Sequence, residues 1–383
     1  MELLLIYGGL ILFLLFSVGY IFNKINMPGL LGHIFLGLFL SMVTTEDYIS
    51  IIDLVAQVGI VLLFFLIGLK FSLYHLTNIL RKIWQAGILD LFLCFGISFL
   101  LAFSFGVDFV GALILGGVAY STSSSITLKM IDETGRSRQP EAEFKLALLL
   151  FEDISAPFII SVLTALSVHG EVTTYTVFLV LFKTFIMTGV AIIIAHYGFS
   201  RLELFVKRYL ESDFLPLLVI AVAFITAGIA VNLGLSKLLG AFLAGVMLSE
   251  TSGGKEFREM IFPLKNILVP FFSLWYGISI SIEPGLHYPI LLAVLILWSF
   301  ISKIIVGWYG GRIFGLTKKG SARSGFSLLQ RGEFSIIAAS LLDPNFIAFS
   351  GLYIILTIIL GVLSFFKAPA LGEKLLTLID SKS

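Results

Sequence analysis

Residues 148–158 read LLLFEDISAPF. Two adjacent carboxylates, Glu152 and Asp153, and a proline, Pro157, stand inside an apolar run extending from KLALLL before them to IISVLTALSV after them. A hydrocarbon core of about 30 Å takes about 20 helical residues, so this run is long enough to cross a bilayer. An ionised side chain at that depth costs roughly 3 kcal/mol or more unless it is paired or hydrated, and it marks a functional position by default. Adjacent residues on a helix point about 100° apart. One carboxylate can therefore meet a structural counter-charge while the other faces a water-filled cavity. Pro157 has no N–H to offer the Asp153 carbonyl, which leaves that oxygen for an ion site or marks a kink.

The rest of the chain agrees with a membrane setting. Of 383 residues, 58% are hydrophobic and 13% charged, about half the charge of a soluble chain. Lys and Arg number 25 against 24 Asp and Glu, so net charge points to no nucleic-acid or acidic partner. The single cysteine, Cys94, excludes an internal disulfide and a cysteine-rich metal site. The first run, MELLLIYGGLILFLLF, has an acid where a signal peptide needs a base and no small-residue cleavage site, so it reads as a retained helix.

Thirteen apolar runs lie near 2–22, 28–43, 51–70, 84–105, 109–130, 144–168, 173–197, 213–232, 236–250, 264–281, 287–311, 322–342 and 347–368. The second and ninth are short, which leaves a twelve-span count open. No intervening stretch is long enough for a soluble domain, so 1–383 is expected to form one all-α transmembrane domain without a soluble regulatory domain. Basic residues crowd alternate loops, among them Arg81, Lys82, Arg136, Arg138, Lys207, Arg208, Arg258, Lys318 and Lys319. The opposite loops carry Glu46, Asp47, Asp108, Glu171, Glu283 and Asp343, with Lys237 as the basic exception. The positive-inside rule then puts the N-terminus outside and the C-terminus in the cytoplasm.

The chain also repeats itself. GLLGHIFLGLFLS at 29–41 lines up with KLLGAFLAGVMLS at 237–249, pairing Gly37 with Gly245 and Ser41 with Ser249. The next helices continue the match, Gly68 with Gly277 and Ser72 with Ser281. The two copies run in opposite directions, so the repeat is inverted, over about 1–168 and 213–370. Inverted repeats build secondary transporters, with the substrate site near the midplane between discontinuous helices. The fifth and twelfth runs should then correspond, and both carry helix-breaking features. Thr122, Ser123, Ser124 and Ser125 are consecutive in the fifth, and Arg331, Gly332 and Glu333 sit near the centre of the twelfth. Opened backbone survives at that depth only when buried in protein or lining a cavity.

Asp90, Glu152, Asp153, Lys183, Lys303, Arg331 and Glu333 are the deep ionisable residues. Lys303, near the middle of the eleventh run, needs an anionic partner. Lys183 reads as a snorkelling lysine. Asp90, placed near the cytoplasmic end of its helix, receives no role. Low dielectric disfavours an ionised carboxylate and a bound cation favours it. Proton and cation thus compete for one anionic site, which exchanges them when only occupied states cross.

FEDISAP, STSSSITLKM, GLSKLLGAFLAGVMLSE and QRGEFSIIAAS together resemble the monovalent cation:proton antiporter-2 family over essentially the whole chain, closest to its bacterial potassium/proton members. The resemblance implies a sodium/proton antiporter-like fold with two crossed discontinuous helices, and a homodimer in the cytoplasmic membrane. It makes Asp153 the cation-binding aspartate and Glu152 its neighbour, with Lys303 the lysine that pairs with that neighbour in some members. Thr122 to Ser125 match the first broken helix and Gln330 to Phe334 the second. Many potassium-efflux members have Gln where Glu152 stands and continue into a nucleotide-binding domain. Regulation here therefore falls to a separate cytoplasmic subunit or is lacking. The charged segment 135–145 offers such a partner a docking place, although a solvated turn is its plainer reading.

The expected function is exchange of a monovalent cation, K⁺ ahead of Na⁺, for protons. Asp153 is the shared carrier of proton and metal cation. Glu152 either pairs with Lys303 or joins the exchange, hydroxyls of Thr122 to Ser125 complete the cation shell, and Arg331 and Glu333 balance the dipole ends of the second broken helix. A cation channel is the competing class, but no Thr-Val-Gly-Tyr-Gly filter is present and midplane titratable groups favour coupling. No His-Glu-x-x-His pair or Gly-x-Gly-Asp setting occurs, and five histidines are scattered, so neither an enzyme nor a cofactor is expected.

Overall fold

The structure, a computed structural model, describes residues 2–25, 27–42, 46–70, 73–169, 174–195, 214–249, 251, 254–280 and 288–380. In chain order its helices are α1 Glu2–Lys24, α2 Gly29–Leu40, α3 Glu46–Leu69, α4 Leu73–Asp90, a π turn Leu91–Gly96, α5 Ile97–Ser104, α6 Phe109–Tyr120, α7 Ser124–Glu133, α8 Pro140–His169 and α9 Thr174–Ile193. There follow α10 Leu215–Asn232, α11 Lys237–Ser249, α12 Gly254–Ser279, α13 Pro289–Ile305, a second π turn Val306–Gly310, α14 Gly311–Phe314, α15 Lys318–Gly325, α16 Glu333–Ala339 and α17 Pro344–Asp380. Helix satisfies every backbone group within one segment, which hydrocarbon demands. Within the described residues each apolar run falls on one helix or on a helix interrupted once; the second, seventh, eighth, ninth, tenth and eleventh runs each have an end outside them. Among the described residues, eight helices are long and apolar enough to cross a membrane, and four apolar ones are shorter. Helix length alone therefore does not fix the number of crossings at thirteen.

The chain forms two compact units, each drawing on both halves of the sequence. The first comprises Met1–Gly19, Gly32–Thr77 and Pro157–Ser279. Its core includes Leu15, Ile52, Leu274 and Ile278. Here α2 crosses α12 at Gly37 and Gly277, and α3 crosses α11 at Gly68 and Gly245. A Cβ on Gly37 would stand 2.1 Å from the Leu274 carbonyl oxygen and 2.9 Å from Gly277 Cα. A Cβ on Gly68 would stand 2.1 Å from the Phe242 carbonyl oxygen and 2.9 Å from Gly245 Cα. The expected repeat pairs Gly37 with Gly245 and Gly68 with Gly277, and all four glycines stand at these two crossings. The matched Ser72 and Ser281 lie outside the described residues.

The second unit comprises Tyr20–Leu31, Asn78–Ala156 and Ile280–Ser383. Ile83, Phe144, Leu148, Val306 and Leu328 pack in its core. Both broken helices are in it. The first is α6 and α7, separated by extended Ser121–Ser123, and the second is α15 and α16, separated by 326–332. Ser123 and Thr317 cap α7 and α15 with their hydroxyls, accepting from Ile126 N at 3.3 Å and Gly320 N at 3.1 Å. Such caps satisfy amides that the helix start leaves open. The second half of the segment expected as a charged loop, 135–145, instead opens α8. Pro140 suits a first helical position, where a missing N–H is not needed. Glu141 and Lys145 are buried rather than solvated. Glu141 accepts from Arg323 at 3.5 Å, and the Lys145 ammonium lies 5.0 Å from the Phe365 ring centroid.

Gly68→Ala and Gly245→Ala should each destabilise the protein by about 2 kcal/mol or more, since the added methyl meets backbone that cannot yield. Gly189, whose Cβ would meet nothing within 4 Å, should tolerate alanine. Thermal unfolding in detergent compares the three.

Candidate functional site

The two breaks of the second unit meet each other. Thr122 and Arg331 form an isolated antiparallel bridge, and Ser123 N donates to the Gln330 carbonyl at 2.8 Å. A Cβ on Gly332 would stand 2.6 Å from Ser123 Cβ, so only glycine allows this approach. Each opened strand thus supplies hydrogen bonds that the other lost, which is the condition for irregular backbone at membrane depth.

The crossing leaves helix ends in the interior, and charged side chains answer them. Arg331 is fully buried, and its Nη1 donates to the Tyr120 carbonyl at 3.0 Å, the C-terminal end of α6. A helix C-terminus carries about half a negative charge, so a guanidinium is stabilised there. Glu333 occupies the first turn of α16 and accepts from Ser125 Oγ at 3.1 Å. Both residues were expected to balance the dipole ends of the second broken helix; the Arg331 guanidinium instead meets the end of the first.

Glu152 and Asp153 part in the way their angular separation requires. Glu152 is 0% exposed and accepts from Thr122 N. Its Oε1 accepts from Lys303 Nζ at 3.0 Å. Thr122 Oγ1 has two acceptors in reach, Glu152 Oε1 at 3.2 Å and the Leu328 carbonyl at 3.1 Å. Asp153 keeps 8% exposure and accepts from Ser124 Oγ at 2.8 Å, beside the start of α7. The four consecutive hydroxyls therefore have four tasks. Ser124 reaches Asp153, Thr122 holds Glu152, Ser123 caps α7 and Ser125 binds Glu333.

Lys303 is buried with a second acid that sequence reasoning set aside. Its ammonium lies 2.7 Å from Asp90 Oδ1, with both side chains 0% exposed. Asp90 is not near the end of its membrane segment, because the helical stretch begins well before 84 and continues through the π turn into α5. The available signal was Lys303 itself, a deep lysine that needs an anionic partner. Lys183 belongs to the first unit, where it donates to the Leu233 carbonyl at 2.9 Å. Pro157 does not break α8, which runs through it.

A bundle with two crossed discontinuous helices, an acidic pair beside the crossing and buried counter-charges defines an ion-coupled membrane transporter. The sequence matches the profile described as sodium/hydrogen exchanger, transmembrane, over residues 11–370, and the chain belongs to that family of cation/proton antiporters. It is similar to the ammonium/H⁺ antiporter subunit AmhT of Alkalihalophilus pseudofirmus, with 41% identity over 96% of this chain and 94% of that one. It is also similar to the K⁺/H⁺ antiporter subunit KhtU of Bacillus subtilis, with 28% identity over 82% of this chain and 78% of that one. Among solved structures, the sodium proton antiporter MjNhaP1 of Methanocaldococcus jannaschii shares the fold at a TM-score of 0.73 and 16% identity, covering 98% of this chain and all of that one.

Arg331→Ala should cost about 3 kcal/mol, since it leaves the buried Tyr120 carbonyl and a helix end unanswered. Arg331→Lys, which keeps the charge, should cost less. Unfolding midpoints of the purified proteins give the order.

Proposed function

We propose that this protein exchanges K⁺ or NH₄⁺ for protons across the bacterial cytoplasmic membrane, with Asp153 as the group that carries proton and cation in turn. The observation that carries this reading is the division between adjacent acids. Glu152 is sealed from solvent against Lys303 and Thr122, while Asp153, buried but for 8% of its surface, lies beside a serine hydroxyl. A carboxylate satisfied by a lysine has little left to offer a passing ion. Its neighbour, flanked by hydroxyl and backbone oxygens, presents the hard ligands that alkali cations take. Ser124 Oγ and the Asp153 carbonyl, which Pro157 cannot engage, supply two such oxygens. Loading Asp153 with either ion neutralises the site, and one carboxylate cannot hold both, so the two fluxes are coupled.

The choice of cation follows from the relatives and from size. The two similar antiporters are named for NH₄⁺ and for K⁺. These ions are close in radius and both shed water more readily than Na⁺, so a site shaped for one admits the other. Both relatives are named as subunits, which supports a separate cytoplasmic partner for this chain too. A homodimer with the N-terminus outside is the assembly that the loop charges and the family resemblance favour. The inverted repeats are assigned to about 1–168 and 213–370.

Cation-driven proton movement in proteoliposomes, read by a pH-sensitive dye, tests the reading with K⁺, NH₄⁺, Na⁺ and Li⁺. Protein-free vesicles correct for NH₃ permeation. K⁺ and NH₄⁺ should drive exchange, and Asp153→Asn should lower it by about a hundredfold or more, the scale of a lost essential group. Undiminished exchange in that variant would place the carrier elsewhere, and cation flux without protons would indicate a channel.

A further inference from the structure

The exchange reading uses Glu152 and Asp153, yet Lys303 touches two acids. We propose that Asp90 is the standing counter-ion of Lys303, a positioning residue that offsets the ammonium's charge beside Glu152 and so keeps the cation site negative. The inference rests on the exchange reading above.

The geometry favours Asp90 as the fixed partner. It is the nearer acid, 2.7 Å from the ammonium against 3.0 Å for Glu152. Its helix and that of Lys303 are stitched together around the pair. Trp298 Nε1 donates to the Leu93 carbonyl at 2.8 Å, and Cys94 Sγ lies 3.2 Å from Asp90 Oδ1 and 3.4 Å from Ser302 Oγ. Asp90 and Lys303 each stand within a few residues of a π turn, Leu91–Gly96 and Val306–Gly310. A π turn widens the helix and frees backbone groups for other partners, and such turns gather at functional positions. Here the turn after Asp90 provides the carbonyl that Trp298 takes. Glu152, by contrast, comes from α8 and spends its other contacts on the crossing through Thr122.

Charge accounting gives the arrangement its use. Arg331 is buried at the same crossing, so Asp90, Glu152, Lys303 and Arg331 balance and Asp153 keeps the one net negative charge. Without Asp90 the remaining three carry a net positive charge, the ammonium has Glu152 alone, and its field falls on the cation site. With Asp90 present, Glu152 can loosen its hold without stranding a buried lysine, a state that is otherwise strongly unfavourable.

The test is a kinetic comparison of wild type, Asp90→Asn, Asp90→Glu and the double variant Asp90→Asn/Lys303→Gln in proteoliposomes, with unfolding midpoints measured alongside. Asp90→Asn should raise the KM for K⁺ about tenfold with Vmax little changed, the effect of removing one charge near a buried site. Asp90→Glu should restore KM, and the double variant should bind K⁺ better than Asp90→Asn because the unmatched ammonium is gone. A wild-type KM in Asp90→Asn, or a double variant worse than either change alone, would overturn the inference. Should Asp90→Asn fail to fold, a folded double variant still supports the pairing, whereas failure of both assigns Asp90 to packing. Wild type without exchange would instead sink the exchange reading, and the unfolding midpoints would still judge the Asp90–Lys303 pair.

Discussion

A peptide group without a hydrogen-bond partner is scarcely tolerated in hydrocarbon, and this fold opens two helices in the same unit. That is sustainable because the openings lie on each other. The bridge between Thr122 and Arg331 and the bond from Ser123 to Gln330 replace helical bonds that neither segment can make. Gly332 sets the distance of approach. Everything polar in the site follows, because crossed breaks leave helix termini in the interior and termini attract charge. Arg331, Glu333, Thr122 and Ser124 are each placed by that fact.

The acids are placed by a different one. An isolated buried ion is far more costly than a matched set, so each charge in this unit carries its neighbour's sign requirement with it. Lys303 between Asp90 and Glu152, with Arg331 buried at the same crossing, meets that condition. The matching of two acids by two cations keeps the unit folded.

Much of this was legible in the sequence because membranes impose strong rules. Apolar run length located the helices. The glycine register suggested a repeat, and the glycines it singled out stand at two close helix crossings, Gly37–Gly277 and Gly68–Gly245. The breaks were visible as hydroxyl and Arg-Gly-Glu clusters in runs that ought to be apolar. What stayed hidden was pairing between distant segments. Nothing local in Asp90 distinguishes an acid at a helix end from one facing a lysine 213 positions away. The same holds for Arg331, whose partner is a backbone carbonyl and has no sequence signature. The hydroxyl run showed that oxygen was wanted but not which oxygen went to which acid, since that depends on where the extended residues turn. Glu141 and Lys145 were misjudged because charge in a short loop usually means water, and here the helix had already begun.

The sequence separations in this site also bear on how the protein is made. Asp90, Thr122, Glu152 and Asp153 emerge from the ribosome well before Lys303 and Arg331, whose contacts reach back 151 to 213 residues. A nascent chain that has inserted only its first half holds the acids and one opened helix with neither cation to match them. Until the eleventh and twelfth runs arrive, those segments resemble polar hairpins waiting for a late partner. The charge-matched cluster is therefore complete only once those two late runs are in place. A product truncated before them holds the acids without either cation.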